Sequence, residues 1–173
     1  MALLPLRLYP DPVLRKKARA VDPQDGSLAR LIEDLFDTMY AAEGVGLAAN
    51  QVGLDIRVAV IDTSAGRDPG ARLVLINPVI VSENGEVEEE EGCLSFPGLR
   101  AKARRAQSAR VQAVGLDGIP FEVEADGLLG KALQHEIGHL NGRLFIDHLP
   151  LSQKVLLAGK LKQMRKEAAK AAE

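Results

Sequence analysis

The sequence predicts an α+β fold in which antiparallel or mixed β-sheets wrap around one central helix, with a further helix at the C-terminus. Three observations lead there. Helical and strand-like stretches are segregated along the chain rather than alternating: one helix, a series of short strands, then two helices. The 173 residues are 46% hydrophobic and 27% charged, the proportions of one globular domain with one sizeable core. The chain has a single cysteine, so no internal disulfide can form, which fits a reducing, cytosolic setting.

Taken in order, Tyr9 to Arg15 (YPDPVLR) carries two prolines and predicts a short helical turn after them. Ser27 is placed to cap a helix running to about Glu43, because Leu28, Leu31, Ile32, Leu35, Met39 and Tyr40 follow a 3.6-residue period. A glycine-rich stretch, Gly44 to Gln51 (GVGLAANQ), follows. Arg57 to Asp62 and Arg72 to Ser82 read as strands, the second interrupted at Pro78. Between these and the next strand lies an acidic run, Glu86 to Glu91, ending at Gly92-Cys93-Leu94-Ser95. Gln107 to Leu116 and Phe121 to Glu124 form a hairpin about Asp117-Gly118. Asp126 is placed to cap a second helix to about Leu140, closed by Asn141-Gly142. A third helix begins near Ser152 and runs almost to the end.

Composition excludes several function classes. No apolar run approaches the roughly 20 residues of a spanning helix, so no membrane role is expected. Met1 to Arg7 lacks a basic n-region and does not read as a signal peptide, so the expected location is cytoplasmic. A net charge of -2 argues against a DNA-binding protein. Aromatic residues make up 3% of the chain and tryptophan is absent, which excludes base-stacking platforms and aromatic-lined carbohydrate sites.

The chemistry concentrates in Gln134-His135-Glu136-Ile137-Gly138-His139. Residues four apart share a helical face, so His135 and His139 can bind one metal ion. Glu136 stands about 100° further round and can reach a water on that ion without ligating it. A catalytic metal takes a third protein ligand and keeps a position open. Cys93, the sole thiol, is one candidate, although a lone cysteine is more often a small buried hydrophobe. His148 is the other, and its place in Phe145-Ile146-Asp147-His148 reads as structural.

Three segments in order, Gly44 to Gln51, Glu91-Gly92-Cys93-Leu94-Ser95 and Gln134 to His139, resemble the three signature motifs of peptide deformylases. The opening Tyr9 to Arg15 resembles that family's N-terminus, and the likeness extends from Leu6 to Pro150. The resemblance implies hydrolysis of the N-formyl group from the initiator formyl-methionine of nascent polypeptides, with release of formate. It implies Cys93, His135 and His139 as ligands of one ion per chain, natively Fe2+, with Zn2+, Ni2+ or Co2+ able to occupy the site. Glu136 is then general base and acid, and the side-chain amide of Gln51 with the backbone N–H of Leu94 stabilises the developing oxyanion. Gly44, Val45 and Gly46 pair with the peptide substrate like an added strand, which suits an enzyme that accepts many sequences. Leu128 and Ala132, on the stripe of His135, and Val45 are wall candidates for a methionine pocket. Arg100 stands at the family's usual arginine position and is expected to contact the peptide beyond methionine. Lys131, one turn before His135, faces either the pocket or the shoulder of the helix.

One departure stands out. The family typically has aspartate where this chain has Gly138. Loss of that carboxylate is expected to leave Arg105 without its partner and to weaken the support of the ligands, with activity surviving in reduced form. Residues 1–150 are expected to form the catalytic part, and 151–173 a basic helix of the same single domain. That helix has six positive and two negative residues, which suggests docking on an anionic partner, with the ribosome near its tunnel exit as the natural candidate. A solvated helix with Val155, Leu156, Leu157 and Leu161 packed on the body is the competing expectation. Two other functions fit the motif less well: a zinc metallopeptidase, and a non-catalytic or weakly active homologue that binds ribosomes.

Overall fold

Two helices clasp a five-stranded antiparallel sheet in the computed structural model, which describes residues 2–173. The sheet runs β1 (Gly46–Ala48), β2 (Val58–Ile61), β3 (Leu73–Asn84), β6 (Ser108–Val114), β7 (Pro120–Asp126), in that spatial order. Helix α1 is Leu28–Ala41 and α2 is Gly127–Leu140. Strand β2 shows why both faces are covered: successive side chains point to opposite sides. Val58 and Val60 pack with Ile32, Leu35, Phe36 and Met39 of α1. Ala59 and Ile61 pack with Leu133, Ile137 and Leu140 of α2. All four positions of β2 are fully buried, so α2 is central as expected.

A second, two-stranded sheet, β4 (Val87–Gly92) with β5 (Arg100–Arg105), accounts for the acidic run, to which sequence periodicity assigns no structure. The register sets Glu88 against Arg104 and Glu90 against Lys102, so opposite charges face one another across the ladder. Ala101 and Ala103 turn inward to a third core with Leu14, Phe96, Leu144, Phe145 and Leu157. Helix α3 (Leu151–Ala171) closes this core. Leu157 is buried and Leu161 is partly buried, as expected of a packed helix, but Val155 and Leu156 are exposed.

Three local expectations need correction. Ser27 stands at the N-cap of α1, yet its hydroxyl donates to Asp25 (2.7 Å) instead of accepting from the helix. Asp126 likewise precedes α2 without a side-chain capping bond. Strand β3 is not interrupted at Pro78; it continues through a register shift between Ile76 and Val79. Asn77 adopts φ 51° there, and its side chain accepts from the Val21 amide (3.0 Å) and donates to the Val21 carbonyl (2.8 Å). Proline is tolerated because the bulge removes the need for its missing N–H.

Candidate metal centre

Helix α2 is anchored by Leu133, Ile137 and Leu140 in the core, which fixes the rotation that sends His135 and His139 the same way. Strand β4 runs beside it and delivers Cys93 from the turn just past its end, where the Phe96 amide donates to the Cys93 carbonyl (2.9 Å). The ligand atoms of Cys93, His135 and His139 all lie within 4.8 Å of one another. Cys93 Sγ is 3.3 Å from His139 Nε2, which is 3.2 Å from His135 Nε2. Ligands about 2.0–2.3 Å from a tetrahedral ion stand about 3.3–3.7 Å apart, so this spacing fits a metal. A thiol and two imidazoles suit Fe2+, Zn2+, Ni2+ and Co2+. His148, in a 3-10 turn at Phe145–His148, lies outside the cluster.

Glu91 organises the centre from behind. Its Oε1 accepts from His135 Nδ1 (2.6 Å) and from Arg105 Nη2 (2.6 Å), and its Oε2 accepts from Arg105 Nε (3.1 Å). The Nδ1–H donated to Glu91 leaves Nε2 of His135 with its lone pair toward the ligand cluster. Burial pushes the Glu91 carboxyl up, but His135 and Arg105 outweigh it and hold the pKa down at about 2. Burial opposes charge on His135 as well, yet Cys93 and Glu91 pull its pKa up to about 10. Burial and the neighbouring His135 push His139 well down, so that ring stays neutral. The Asn50 side chain donates to the His139 carbonyl (2.6 Å), tying the glycine-rich stretch to α2.

Glu136 is almost fully buried beside the cluster, and its Oε2 has no hydrogen-bond partner among the described residues. Burial is the main cause that raises its pKa, to about 7. An orphaned carboxylate oxygen here has room for a water or a substrate group. Gly46 lets it in: a Cβ at that position would stand 2.8 Å from Glu136 Oε1 and 2.9 Å from Cγ. Gln51 is buried; its Oε1 accepts from the Ala48 amide (3.0 Å), and its Nε2 donates to Ser95 Oγ (3.1 Å) and lies 3.7 Å from Cys93 Sγ. The Leu94 N–H makes no backbone hydrogen bond to a described residue.

These groups open into a cleft of about 700 Å³. Gly44, Val45, Gly46, Gln51, Leu94, Arg100, Leu128 and Ala132 line it with Cys93, His135 and Glu136, and the buried His139 joins them through the ligand cluster. Leu128 is half exposed, at the cleft's edge, whereas Ala132 is buried. Arg100 is exposed, with its Nε 3.7 Å from Glu90. Lys131, whose side the sequence leaves open, lines the cleft and ion-pairs with Glu89 of β4.

The expectation that Gly138 orphans Arg105 is wrong: Arg105 is buried and bonded twice to Glu91. The ring nitrogen left without a hydrogen-bond partner among the described residues is His139 Nδ1. Sequence reasoning gives no role to Glu91, Asn50 or Ser95. Glu91 is within reach of it: in an extended strand, residues 89, 91 and 93 point to one side, so the side that presents Cys93 also presents Glu91.

The family model of polypeptide deformylase matches residues 3–155. A peptide deformylase from Legionella pneumophila is similar at 45% identity over 97% of this chain and 98% of that chain, with a TM-score of 0.87. One from Thermus thermophilus is similar at 41% identity over 96% and 99%, with a TM-score of 0.86. Arabidopsis thaliana peptide deformylase 1B, solved with an inhibitor, is similar at 35% identity over 96% and 92%, with a TM-score of 0.92.

Proposed function

Because the chain belongs to the polypeptide deformylase family, we propose that Cys93, His135 and His139 hold its catalytic metal ion and that Glu136 carries the proton of the reaction. The protein is a metal-dependent hydrolase that removes the N-formyl group from the initiator formyl-methionine of nascent polypeptides and releases formate. The metallopeptidase and non-catalytic readings are not favoured by this kinship. The convergence of one thiol and two imidazole nitrogens within 4.8 Å carries the assignment of the ligands.

A divalent ion bound there supplies Lewis acidity, which lowers the pKa of water to near neutrality. Glu136 Oε2, without a protein partner, takes the proton of the attacking water and delivers it to the amine nitrogen as the C–N bond breaks. Gln51 Nε2 and the Leu94 N–H donate to the formyl oxygen as it gains negative charge. Gly44, Val45 and Gly46, continuous with β1, pair with the peptide backbone as an added strand. Val45, Leu128 and Ala132 wall the methionine side chain, and Arg100 at the rim contacts the peptide beyond it. Fe2+ is the proposed native ion, one per chain, with Zn2+, Ni2+ or Co2+ as substitutes.

Elemental analysis of the purified protein tests the ligand set. Cys93→Ala, His135→Ala and His139→Ala are each expected to lose the ion, and Glu136→Ala to keep it. Retention of a full equivalent in any of the three ligand variants contradicts the assignment.

The chain is proposed to work in the cytoplasm beside the ribosome, with α3 as its docking element. Lys154, Lys160, Lys162, Lys166 and Lys170 are all exposed on α3, beside exposed Leu151, Val155 and Leu156. Replacing Lys160, Lys162 and Lys166 by glutamate is expected to abolish co-sedimentation with ribosomes at low salt, and unchanged co-sedimentation rejects the docking role.

A further inference from the structure

A second recess, of about 600 Å³, flanks α2 and shares no lining residue with the catalytic cleft. The Glu91–Arg105 pair is the partition, since Glu91 lines the cleft and Arg105 lines the recess. Three donor groups lining it are unspent among the described residues. Arg105, whose side chain is only 4% exposed, uses Nε and Nη2 on Glu91 and leaves Nη1 without a hydrogen bond. The Arg143 guanidinium has neither a hydrogen bond nor an ion pair, and the His148 ring makes no hydrogen bond. Burial and the charge of Arg105 lower the pKa of His148, so near neutrality the ring offers one N–H. On the remaining wall, Arg104 is engaged by Glu86 and Glu88, and Glu83 is the one carboxylate there without an ion pair among the described residues.

The floor of the recess is Gly138. A Cβ added there would meet nothing closer than Arg143 Cβ at 3.8 Å, so space reaches the helix backbone and no side chain enters it from α2 at this point. A half-used buried guanidinium and an exposed, unpaired one share this lining with the open space at Gly138, and both supply the donors and charge that an oxyanion needs.

We propose that this recess binds one small oxyanion, of phosphate or carboxylate type, against Arg105 Nη1, Arg143 and His148. The bound ion holds Arg105 from the side opposite Glu91. It therefore steadies the Arg105–Glu91–His135 chain behind the metal ligands without entering the substrate cleft.

Isothermal titration calorimetry of the metal-loaded protein, with inorganic phosphate and separately with formate at constant ionic strength set by chloride, tests this. One ion per chain is expected for at least one of the two. A response to formate alone identifies the reaction product as the ligand, and a response to phosphate identifies a tetrahedral ion. Arg143→Ala should weaken that binding about tenfold, the loss of one charge-assisted hydrogen bond. Gly138→Asp, which sets a carboxylate on the floor, should abolish it, and both variants should retain their metal by elemental analysis. His148→Ala serves in place of Gly138→Asp if the latter does not fold, with the same weakening expected as for Arg143→Ala. No binding of either ion overturns the proposal. So does binding that all these variants leave unchanged, which would place the ion on the catalytic metal.

Discussion

Gly46 and Glu136 fit closely, because the glycine's missing side chain is the space the carboxylate occupies. Gly46→Ala would drive a methyl group against Oε1 and Cγ of the buried Glu136 side chain and displace its carboxylate. A displacement of about 1 Å in a reacting group costs on the order of a hundredfold in rate. We expect Gly46→Ala to lower kcat about 10–100-fold while metal content and the circular dichroism spectrum are unchanged; wild-type kcat would show that Glu136 can move aside without loss of function. That His135, His139 and Glu136 stand together was legible in the sequence because helical spacing is a strict rule, whereas Cys93 joined them only through the family resemblance. Glu91 was not, although it bonds His135 directly, because five other acidic residues within positions 83–90 disguised it. The same concealment explains the error over Arg105, whose expected partner is on α2 and whose actual partner lies on β4.

At the scale of elements, β4 and β5 were the hardest to read. Strand prediction rests on alternating apolar residues, and β4 has none: it is one valine, four consecutive glutamates and a glycine, and its one buried position, Glu91, is decided by partners on α2 and β5. Tertiary context supplies what local propensity lacks: Lys131 of α2 reaches Glu89, and Arg105 reaches Glu91, two residues along the same face. The Lys131–Glu89 pair links α2 to β4 across one side of the cleft. Glu89 is half exposed, so the pair contributes less than about 1 kcal/mol to stability. Lys131→Leu is therefore expected to leave the Tm within a few degrees. It should raise KM for formyl-methionyl peptides about threefold or more with little change in kcat, because the cleft wall loses its tether while the metal centre keeps its own. A kcat effect with constant KM would place Lys131 in the chemistry rather than in the wall.

The whole molecule holds together through three cores, two of them separated by the large sheet and the third under α3. The fold class and the central position of α2 followed from the segregation of helices and strands; the split into two sheets did not, since the turn geometry around Cys93 carries no propensity signal. Asp147 links two ends of the third core: its Oδ2 accepts from Arg15 (2.6 Å) and from the Leu144 amide (2.9 Å). Burial pushes the Asp147 carboxyl up, but the bonds from Arg15 and Leu144 outweigh it and hold its pKa below the usual value. A carboxyl depressed on folding adds stability above its unfolded pKa of about 3.9, and that share is lost as pH falls through the lower folded value. Asp147→Asn should thus lower stability by about 1 kcal/mol at pH 7, discounted for partial exposure. The Tm gap to wild type should hold from about pH 5 to 8 and narrow steadily as pH falls below about 4. A gap of unchanged size at about pH 3 would mean the side chain acts through packing alone.

The central claim, that Glu136 moves the proton at a Cys93–His135–His139 metal centre, meets its most direct test in anaerobic release of formate from formyl-Met-Ala-Ser by the Fe2+-loaded protein and by Glu136→Ala. The account predicts turnover by the wild type, none of the unformylated peptide's bonds cut, and a loss of at least about a hundredfold in the variant that still holds its metal. Equal formate release by the two proteins, at equal metal content, would contradict it.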